Sequence, residues 1–180
     1  PSGCLTTMRS SEESGRPTLV PFLKRIKVRV FPVGRLDFDA EGLILLTNDG
    51  DLALGLAHPR YEIPRCYLAK VKGIPSPEKL KDLKKGVTLE DGRASARAVL
   101  KNVTAQKNSW LEITVREGRN RLVKRLCRHL GHPVQKLKRI RFAFLTLEGL
   151  SPGEVRPLTA EEIRRLKGLV VQKASSSKEL

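Results

Sequence analysis

Three stretches of the chain alternate apolar and polar residues with the two-residue period of a β-strand. They are IKVRVF (26–31), CYLAKVKG (66–73) and WLEITVREG (110–118). A fourth stretch, GLILLT (42–47), is a short continuous apolar run, which predicts a buried strand. The predicted strands are therefore spread along the chain.

Segments with helix signals lie between and after these strands. DLALGLAHP (51–59) begins at the candidate cap Asp51, SPEKLKDLKKG (76–86) begins at Ser76, and TAEEIRRLKGLV (159–170) begins at a Thr that can cap it. Hairpins and helices interleave without a regular βα alternation. This order predicts an α+β fold with a mixed, largely antiparallel central sheet flanked by helices.

The most basic segment spans residues 116–141 and contains ten Lys or Arg against one acid, Glu117. Within it, a helix is predicted over 121–130, with Asn120 as its N-cap and Gly131 as its stop. On a helical wheel the apolar residues occupy one arc of about 140°. That arc holds Leu122, Val123, Leu126, Cys127 and Leu130; the opposite arc holds Arg121, Lys124, Arg125 and Arg128.

The cationic arc has two interpretations. A solvated charged face is the ordinary one, but such a face normally mixes both signs. Four cations without an acid repel one another unless an anion joins them, which favours binding to phosphate.

The composition supports a polyanionic partner. The 180 residues include 35 Lys and Arg against 19 Asp and Glu, for a net charge of +16. Nucleic acid is the first candidate because phosphate contacts release counterions. We expect no membrane partner, since no run approaches the roughly 18 apolar residues of a spanning helix. No signal peptide is visible, and three widely spaced cysteines predict reduced thiols in the cytoplasm.

A metal site is not predicted. Cys127, His129 and His132 are close in sequence, but zinc needs three or four ligands that face one point. On the wheel Cys127 points inward and His129 lies about 160° away. A core cysteine and surface histidines are the simpler interpretation.

The stretch VGRLDFDAEGLILLTNDG (33–50) concentrates acids in a basic chain. It imitates the first half of an EF-hand loop, but the position that needs a bidentate Glu holds Asn48 and the flanks are not helices. Calcium binding is therefore rejected. Turn chemistry accounts for Asp49 and Asp51, one in a turn and the other as a helix cap.

Asp37 is the candidate working carboxylate. It follows Gly34-Arg35-Leu36 in a loop just before the predicted buried strand, whereas Asp39 and Glu41 are interpreted as bystanders. Among so many cations Asp37 would stay charged and could act as a nucleophile or an electrostatic stabiliser. The residues alone do not choose between these roles.

Five separated segments resemble motifs of the RsuA/RluB/RluE/RluF family of ribosomal RNA pseudouridine synthases, in the family's order. They cover about residues 1–160: PSGCLTT with GRPT, GRLDFDAEGLILLTNDGDLA, Pro64-Arg65-Cys66-Tyr67-Leu68, EGRNRLVKRLCRHLGHPV and LTLEGLSPGEVRPLT. The resemblance implies the pseudouridine synthase catalytic fold. It also implies conversion of a uridine to pseudouridine without cofactor or metal: the uracil is detached, rotated and rejoined through carbon.

The resemblance also implies roles for single residues. Asp37 would be the catalytic carboxylate, attacking the base or the anomeric carbon, and Tyr67 would stack on the uracil and help remove a proton. Lys124 would be the basic partner of Asp37, although most relatives carry Arg there, so Arg121 or Arg119 could substitute. The resemblance also places Arg35 against the RNA, where it could fill the gap left by the flipped base. The other predicted RNA-binding residues belong to the basic segment: Arg119, Arg121, Arg125 and Arg128.

Two functions follow as hypotheses. The first is a monomeric, cytoplasmic enzyme acting on ribosomal RNA, free or in assembly intermediates; the segment 71–92 favours the large-subunit (23S) RluB-like type. The second is a ribosome-assembly or RNA-binding protein without turnover, suggested by Lys124 and by Leu122, where relatives carry Gln. The catalytic domain is predicted over 1–168, with 1–60 and 61–168 as candidate subdomains and 169–180 as a flexible tail. The family's N-terminal RNA-binding domain is not seen in this chain.

Overall fold

The secondary structure comes from a computed structural model that describes residues 1–104 and 107–176. The strands are β1 (Phe31–Pro32), β2 (Ala40–Gly42), β3 (Leu46–Thr47), β4 (Arg65–Val71), β5 (Val87–Leu89), β6 (Gly92–Ala94), β7 (Arg97–Val103), β8 (Ser109–Val115), β9 (Val134–Phe142) and β10 (Leu145–Thr146). The α-helices are α1 (Ser11–Ser14), α2 (Gly50–Ala57), α3 (Pro77–Lys85), α4 (Leu122–His129) and α5 (Ala160–Ser176). Short 3-10 helices span Val20–Leu23 and Pro59–Tyr61.

The central sheet has six strands in the order β10-β9-β4-β8-β7, with β2 added beside β9. The β2–β9 pair is parallel and all other pairs in this sheet are antiparallel. Two small antiparallel pairs, β1–β3 and β5–β6, lie outside it. The predicted α+β fold with a mixed, largely antiparallel sheet is confirmed.

The two faces of this sheet differ. Alternate residues of β4 point to opposite faces, and one set, Tyr67, Ala69 and Val71, packs with the apolar side of α4 and with Leu83 of α3. We call this the covered face. The other, the open face, carries Cys66, Leu68 and Lys70. The residues that line a second cavity on this face belong to strands and loops, not to helices.

A second core lies at one end of the sheet. It joins residues of the 33–63 region, such as Leu56 and Ile63, to Phe142, Leu145 and Leu166. Helix α5 packs on α2 so closely that a Cβ at Gly55 would lie 2.4 Å from a Val170 methyl. Residues 142–170 therefore share a core with residues 33–63, and the two cores do not divide the chain at residue 60.

Two predicted strands are wrong in extent. IKVRVF contributes only Phe31 to a strand, and Val28 within it is exposed, so its alternation corresponds to neither strand pairing nor a buried face. GLILLT is interrupted between Gly42 and Leu46. Gly42 takes a φ of +113°, and the next amide donates to the Arg139 carbonyl at 2.8 Å. The predictions over 66–73 and 110–118 are confirmed by β4 and β8.

Helix caps were predicted with mixed success. Ser76 and Thr159 are confirmed, and Thr159 forms a reciprocal capping box with Glu162, with distances of 3.1 and 2.8 Å. Asp51 is wrong as a cap, because Asp49 accepts from the Leu52 amide at 2.9 Å. At α4 the cap position is taken by Arg121 in the left-handed region, not by Asn120.

The C-terminal helix is longer than predicted. Helix α5 continues to Ser176, past residue 168, where the sequence predicted a flexible tail; residues 177–180 lie outside the described part of the chain. No helix in the described ranges is long and apolar enough to cross a membrane.

Candidate active site

A cavity of about 340 Å³ opens on the covered face where several loops converge on the sheet. Its wall includes the loop 34–37, Arg65 and Tyr67 of β4, the loop 117–121 that leads into α4, and Arg139 of β9. Asp37, Tyr67, Arg35, Arg119 and Arg121, which the sequence predicted as site residues, thus border one space.

Hydrogen bonds from the first residues of the chain hold the loop that carries Asp37. The Thr6 hydroxyl accepts from the Leu36 amide at 3.1 Å and donates to the Leu36 carbonyl at 3.2 Å. The Gly3 amide donates to the Phe38 carbonyl at 2.7 Å. Sequence reasoning missed Thr6 as a positioning residue, although its motif, PSGCLTT, was the signal that could have found it.

Lys124 forms the ion pair with Asp37. Its Nζ lies 3.1 Å from Asp37 Oδ2, and the side chains are 11% and 21% exposed. The sequence left Arg121 and Arg119 as alternative partners. Arg119 instead pairs with Glu117 and Asp91, and Arg121 forms no ion pair with any described residue.

Asp39 is more than a bystander in this geometry. It contacts the same Lys124 ammonium, and that hydrogen bond is the main reason that its pKa is lowered from the ordinary value. The structure therefore corrects the interpretation of Asp39: one ammonium bridges two carboxylates of the acidic loop. Glu41 Oε1 lies 4.0 Å from Lys138 Nζ, a long distance for an ion pair.

Tyr67 is half-buried near the middle of the sheet. It is paired with Ile113 on β8 and with Arg139 on β9. Cross-strand partners place their side chains on the same face, so Tyr67 and Arg139 both point toward the covered face. Tyr67 thus offers an aromatic ring to the cavity that Asp37 borders.

The cationic arc of α4 is partly compensated. Arg125 pairs with Asp91 at 2.8 Å, and Arg119 pairs with the same carboxylate at 3.0 Å. These contacts lower the pKa of Asp91, with the Arg125 hydrogen bond as the main cause. Because Asp91 is far from α4 in sequence, the helical wheel could not show it. Arg128 is exposed and has no ion pair within the described residues.

The metal-ligand types near α4 do not converge. Burial raises the pKa of the Cys127 thiol to about 12, and Cys127 lies in the core. His129 is exposed, whereas His132 Nδ1 lies 2.9 Å from the Lys72 carbonyl oxygen. Across residues 1–104 and 107–176, no three His, Cys, Asp or Glu side chains form a group that could hold a metal.

Two further arginines border the cavity from inside the protein. Arg65 is 6% exposed and Arg139 is 1% exposed. Burial lowers the pKa of Arg65; Tyr67 opposes this effect and Arg139 adds to it. Sequence reasoning assigned neither residue to the site, since local pattern does not distinguish a buried arginine from its solvated neighbours.

The chain is similar to known proteins. A sequence profile described as RNA pseudouridylate synthase matches residues 1–129. The chain is 48% identical over 162 residues to ribosomal large subunit pseudouridine synthase B of Bacillus subtilis (strain 168), covering 89% of this chain and 66% of that protein. The protein of the same name from Salmonella typhimurium is 40% identical over 172 residues, covering 94% and 58%.

A solved structure has the same fold. It is described as a crystal structure of pseudouridylate synthase, with a TM-score of 0.78 and 29% identity, and the match covers 92% of this chain and 70% of that one. The chain thus spans 66% of the length of the Bacillus subtilis relative and 58% of the length of the Salmonella typhimurium relative.

Proposed function

The chain belongs to the RNA pseudouridylate synthase family, and from this premise we propose that it isomerises a uridine of large-subunit ribosomal RNA to pseudouridine. One observation carries the proposal. Asp37 and the Tyr67 ring border one cavity on the covered face, and Lys124 holds Asp37 there through an ion pair. The names of the relatives, ribosomal large subunit pseudouridine synthase B, support the choice of RNA.

The surroundings of the cavity suit a base that must leave a folded RNA. Flipping a nucleotide out of its stack costs a few kcal/mol. Cations around the cavity mouth, such as Arg35 and Arg121, can grip the phosphate backbone. An aromatic ring stacked on the flipped base adds roughly 1–3 kcal/mol, and Tyr67 is the ring that lines this cavity.

The chemistry that we propose for these groups is the one that the resemblance to the family implies. The Asp37 carboxylate attacks the base or the anomeric carbon, and the bond between uracil N1 and the ribose breaks. After the base turns, uracil carbon 5 bonds to the ribose and the bond to Asp37 breaks, which frees the carboxylate. Carbon 5 then gives up its hydrogen as a proton, and N1 takes up a proton in its place. Tyr67 assists that proton removal. Lys124 fixes the direction of the Asp37 carboxylate through the 3.1 Å contact.

The two departures from the family pattern fit a working site. Lys124 reaches Asp37 although it lacks the fork of an arginine. Leu122 is 4% exposed and belongs to the core under α4, so its apolar side chain is fully accommodated. Both observations support the catalytic function over an RNA-binding protein without turnover.

The test is release of tritium from ribosomal RNA labelled at uracil carbon 5. We expect release by the wild-type protein, and a loss of roughly a thousand-fold or more in Asp37→Asn, as for removal of a nucleophile. Asp51→Asn is the matched control, since Asp51 is an exposed first-turn residue of α2; its release should be unchanged. Undiminished release by Asp37→Asn would sink the mechanism, and no release from any ribosomal RNA would favour the binding function.

A further inference from the structure

Arg65 and Arg139 are buried charges without a counterion. Strongly buried charged groups in stable proteins are usually paired with an opposite charge, because an isolated buried ion loses its hydration. Among the residues that the structure describes, no carboxylate lies within 4 Å of either guanidinium, in contrast to Arg119 and Arg125 nearby. Both arginines are at least nine-tenths buried.

The contacts that hold them are neutral. Arg65 Nη2 donates to the carbonyls of Leu56 and Ala57 at 3.0 and 3.3 Å. Arg139 Nε donates to the Leu43 carbonyl at 2.6 Å. The guanidinium carbons lie 5.5 and 5.6 Å from the centroid of the same ring, Phe142. Carbonyls and a ring face orient the two guanidiniums but do not neutralise their charges.

Arg139 has a donor left over. Its Nη1 lies 3.4 Å from the Arg35 carbonyl oxygen, whereas its Nη2 is buried and has no hydrogen-bond partner within the described residues. Arg139 lines the same cavity as Asp37 and shares a face with Tyr67. Water could accept the free hydrogen bond, but an oxygen that carries negative charge, or gains it during the reaction, would also compensate the charge.

We propose that Arg139, backed by Arg65, binds an oxygen of the flipped uridine nucleotide and positions it between Asp37 and Tyr67. This inference rests on the proposed function, and it assigns recognition of the flipped uridine to the Arg139 guanidinium. The oxygen belongs either to a uracil carbonyl or to the phosphate of the target nucleotide. A uracil carbonyl would gain negative charge in both routes open to Asp37, because each moves electrons onto the base.

The experiment measures binding of uridine 5′-monophosphate, uridine and inorganic phosphate by isothermal titration calorimetry. Arg139→Gln should weaken uridine 5′-monophosphate by about 10- to 100-fold, the range for a hydrogen bond to a charged group. An equal loss for uridine identifies a uracil carbonyl. A loss confined to the monophosphate and inorganic phosphate identifies the phosphate.

The matched control is Arg141→Gln, on the same strand but on the open face, where Arg141 is paired with Glu112. It should bind all three probes within about two-fold of wild type, since exposed ion pairs contribute little. Equal binding by Arg139→Gln and wild type, an equal loss in Arg141→Gln, or no binding of the monophosphate by wild type would each overturn the inference.

Folding is checked separately because Arg139 is buried. Circular dichroism melts identify variants that fail to fold, and Arg139→Lys retains the charge with fewer donors, so partial affinity is expected from it. Tritium release separates the two proposals. Arg139-dependent binding without release by wild type would overturn the proposed function alone, whereas release with unchanged binding in Arg139→Lys and Arg139→Gln would overturn this inference alone.

Discussion

The open and covered faces of the central sheet both carry arginines, but in opposite surroundings. On the open face Arg141 pairs with Glu112 at 3.2 Å, and Lys101 reaches the same carboxylate at 3.0 Å. These contacts lower the pKa of Glu112, with the Lys101 hydrogen bond as the main cause. On the covered face Arg139 donates to carbonyl oxygens and lies against the Phe142 ring, and one of its donors has no partner among the described residues.

A local irregularity separates the two arginines. They are two residues apart on β9, a spacing that normally places side chains on one face. The register shifts between Cys66 and Tyr67, so that Cys66 pairs with Arg141 and Tyr67 with Arg139. Adjacent residues of β4 point to opposite faces, and their partners do the same. The bulge turns one arginine toward a carboxylate and the other toward the cavity.

The difference shows which charges carry information about function. A net charge of +16 indicates an anionic partner but no location. An exposed cation in an ion pair, as on the open face, changes the free energy of folding little. A buried cation without a counterion is costly and therefore marks the place where an anionic group is expected. The following predictions test that distinction, from the largest effect to the smallest.

The strongest test removes the backbone contact that holds β9 at the cavity. A Cβ at Gly42 would lie 2.2 Å from the Arg139 carbonyl oxygen, and the φ of +113° is strained for any other residue. Gly42→Ala should lower the free energy of unfolding by about 3–5 kcal/mol, since overpacking and backbone strain each cost about 1–3 kcal/mol. Urea denaturation followed by circular dichroism measures it.

Gly92→Ala is the control for backbone strain alone. Its φ is +108°, but the nearest atom to a Cβ there, a nitrogen of Arg119, is 4.0 Å away. We expect a loss of about 1–2 kcal/mol, from strain without a clash. Equal losses in the two variants would show that the β2–β9 contact does not hold Arg139 in place.

A second test compares two lysines that both pair with carboxylates. Lys124 on the cavity side is 11% exposed, whereas Lys101 on the open face is 51% exposed. Lys124→Ala should reduce tritium release by about 10- to 100-fold, equivalent to about 1.4–2.7 kcal/mol of barrier, because Asp37 loses its orienting partner. Lys101→Ala should stay within about two-fold of wild type.

Lys124→Arg sharpens this result. An arginine retains the charge and adds the bidentate fork, so its release should equal or exceed that of wild type. Equal release by all three variants would mean that the ion pair has no part in turnover. A loss in Lys101→Ala as large as that in Lys124→Ala would remove the distinction between the faces.

Local pattern predicted the elements whose stability is itself local. The cap at Ser76, the capping box at Thr159 and the apolar side of α4 were read correctly because they depend on residues within one turn or one helix. Strand β8 alternates buried and half-buried residues along its whole length, whereas β4 does so only from Leu68 to Val71. Asp37 and Tyr67 were found through motifs and face one cavity.

What local pattern could not supply was pairing over distance. IKVRVF alternates, but only its last residue, Phe31, pairs with another strand, and a bulge on β9 has no signature in LKRIR. Asp91 neutralises two cations near α4 from about thirty residues away. The burial of Arg139 depends on three strands meeting, because β2, β4 and β9 together enclose it. Each of these features is decided by tertiary structure.

The smallest expected effect concerns the cations of α4. The sequence predicted both Arg125 and Arg128 as RNA-binding residues, so that Arg125→Ala and Arg128→Ala would each weaken RNA binding. Because Asp91 already holds Arg125 at 2.8 Å, its loss should change the binding of a ribosomal RNA fragment less than two-fold, as expected for a charge that is already compensated. Arg128→Ala, which removes an exposed cation, should make the slope of log K against log salt less steep by about one unit, as for the loss of one phosphate contact.

Asp91→Asn tests the same comparison in the opposite direction, by freeing paired cations instead of removing them. It releases both Arg119 and Arg125 from one carboxylate, so RNA binding should strengthen and its salt slope should steepen by about one to two units. Filter binding at four salt concentrations measures both quantities for the three variants. If Arg125→Ala and Arg128→Ala shift the slope equally, and Asp91→Asn leaves it unchanged, then the paired cations contact RNA as freely as the unpaired ones. In that case the absence of a counterion would no longer distinguish functional cations from structural ones, on α4 or at Arg139.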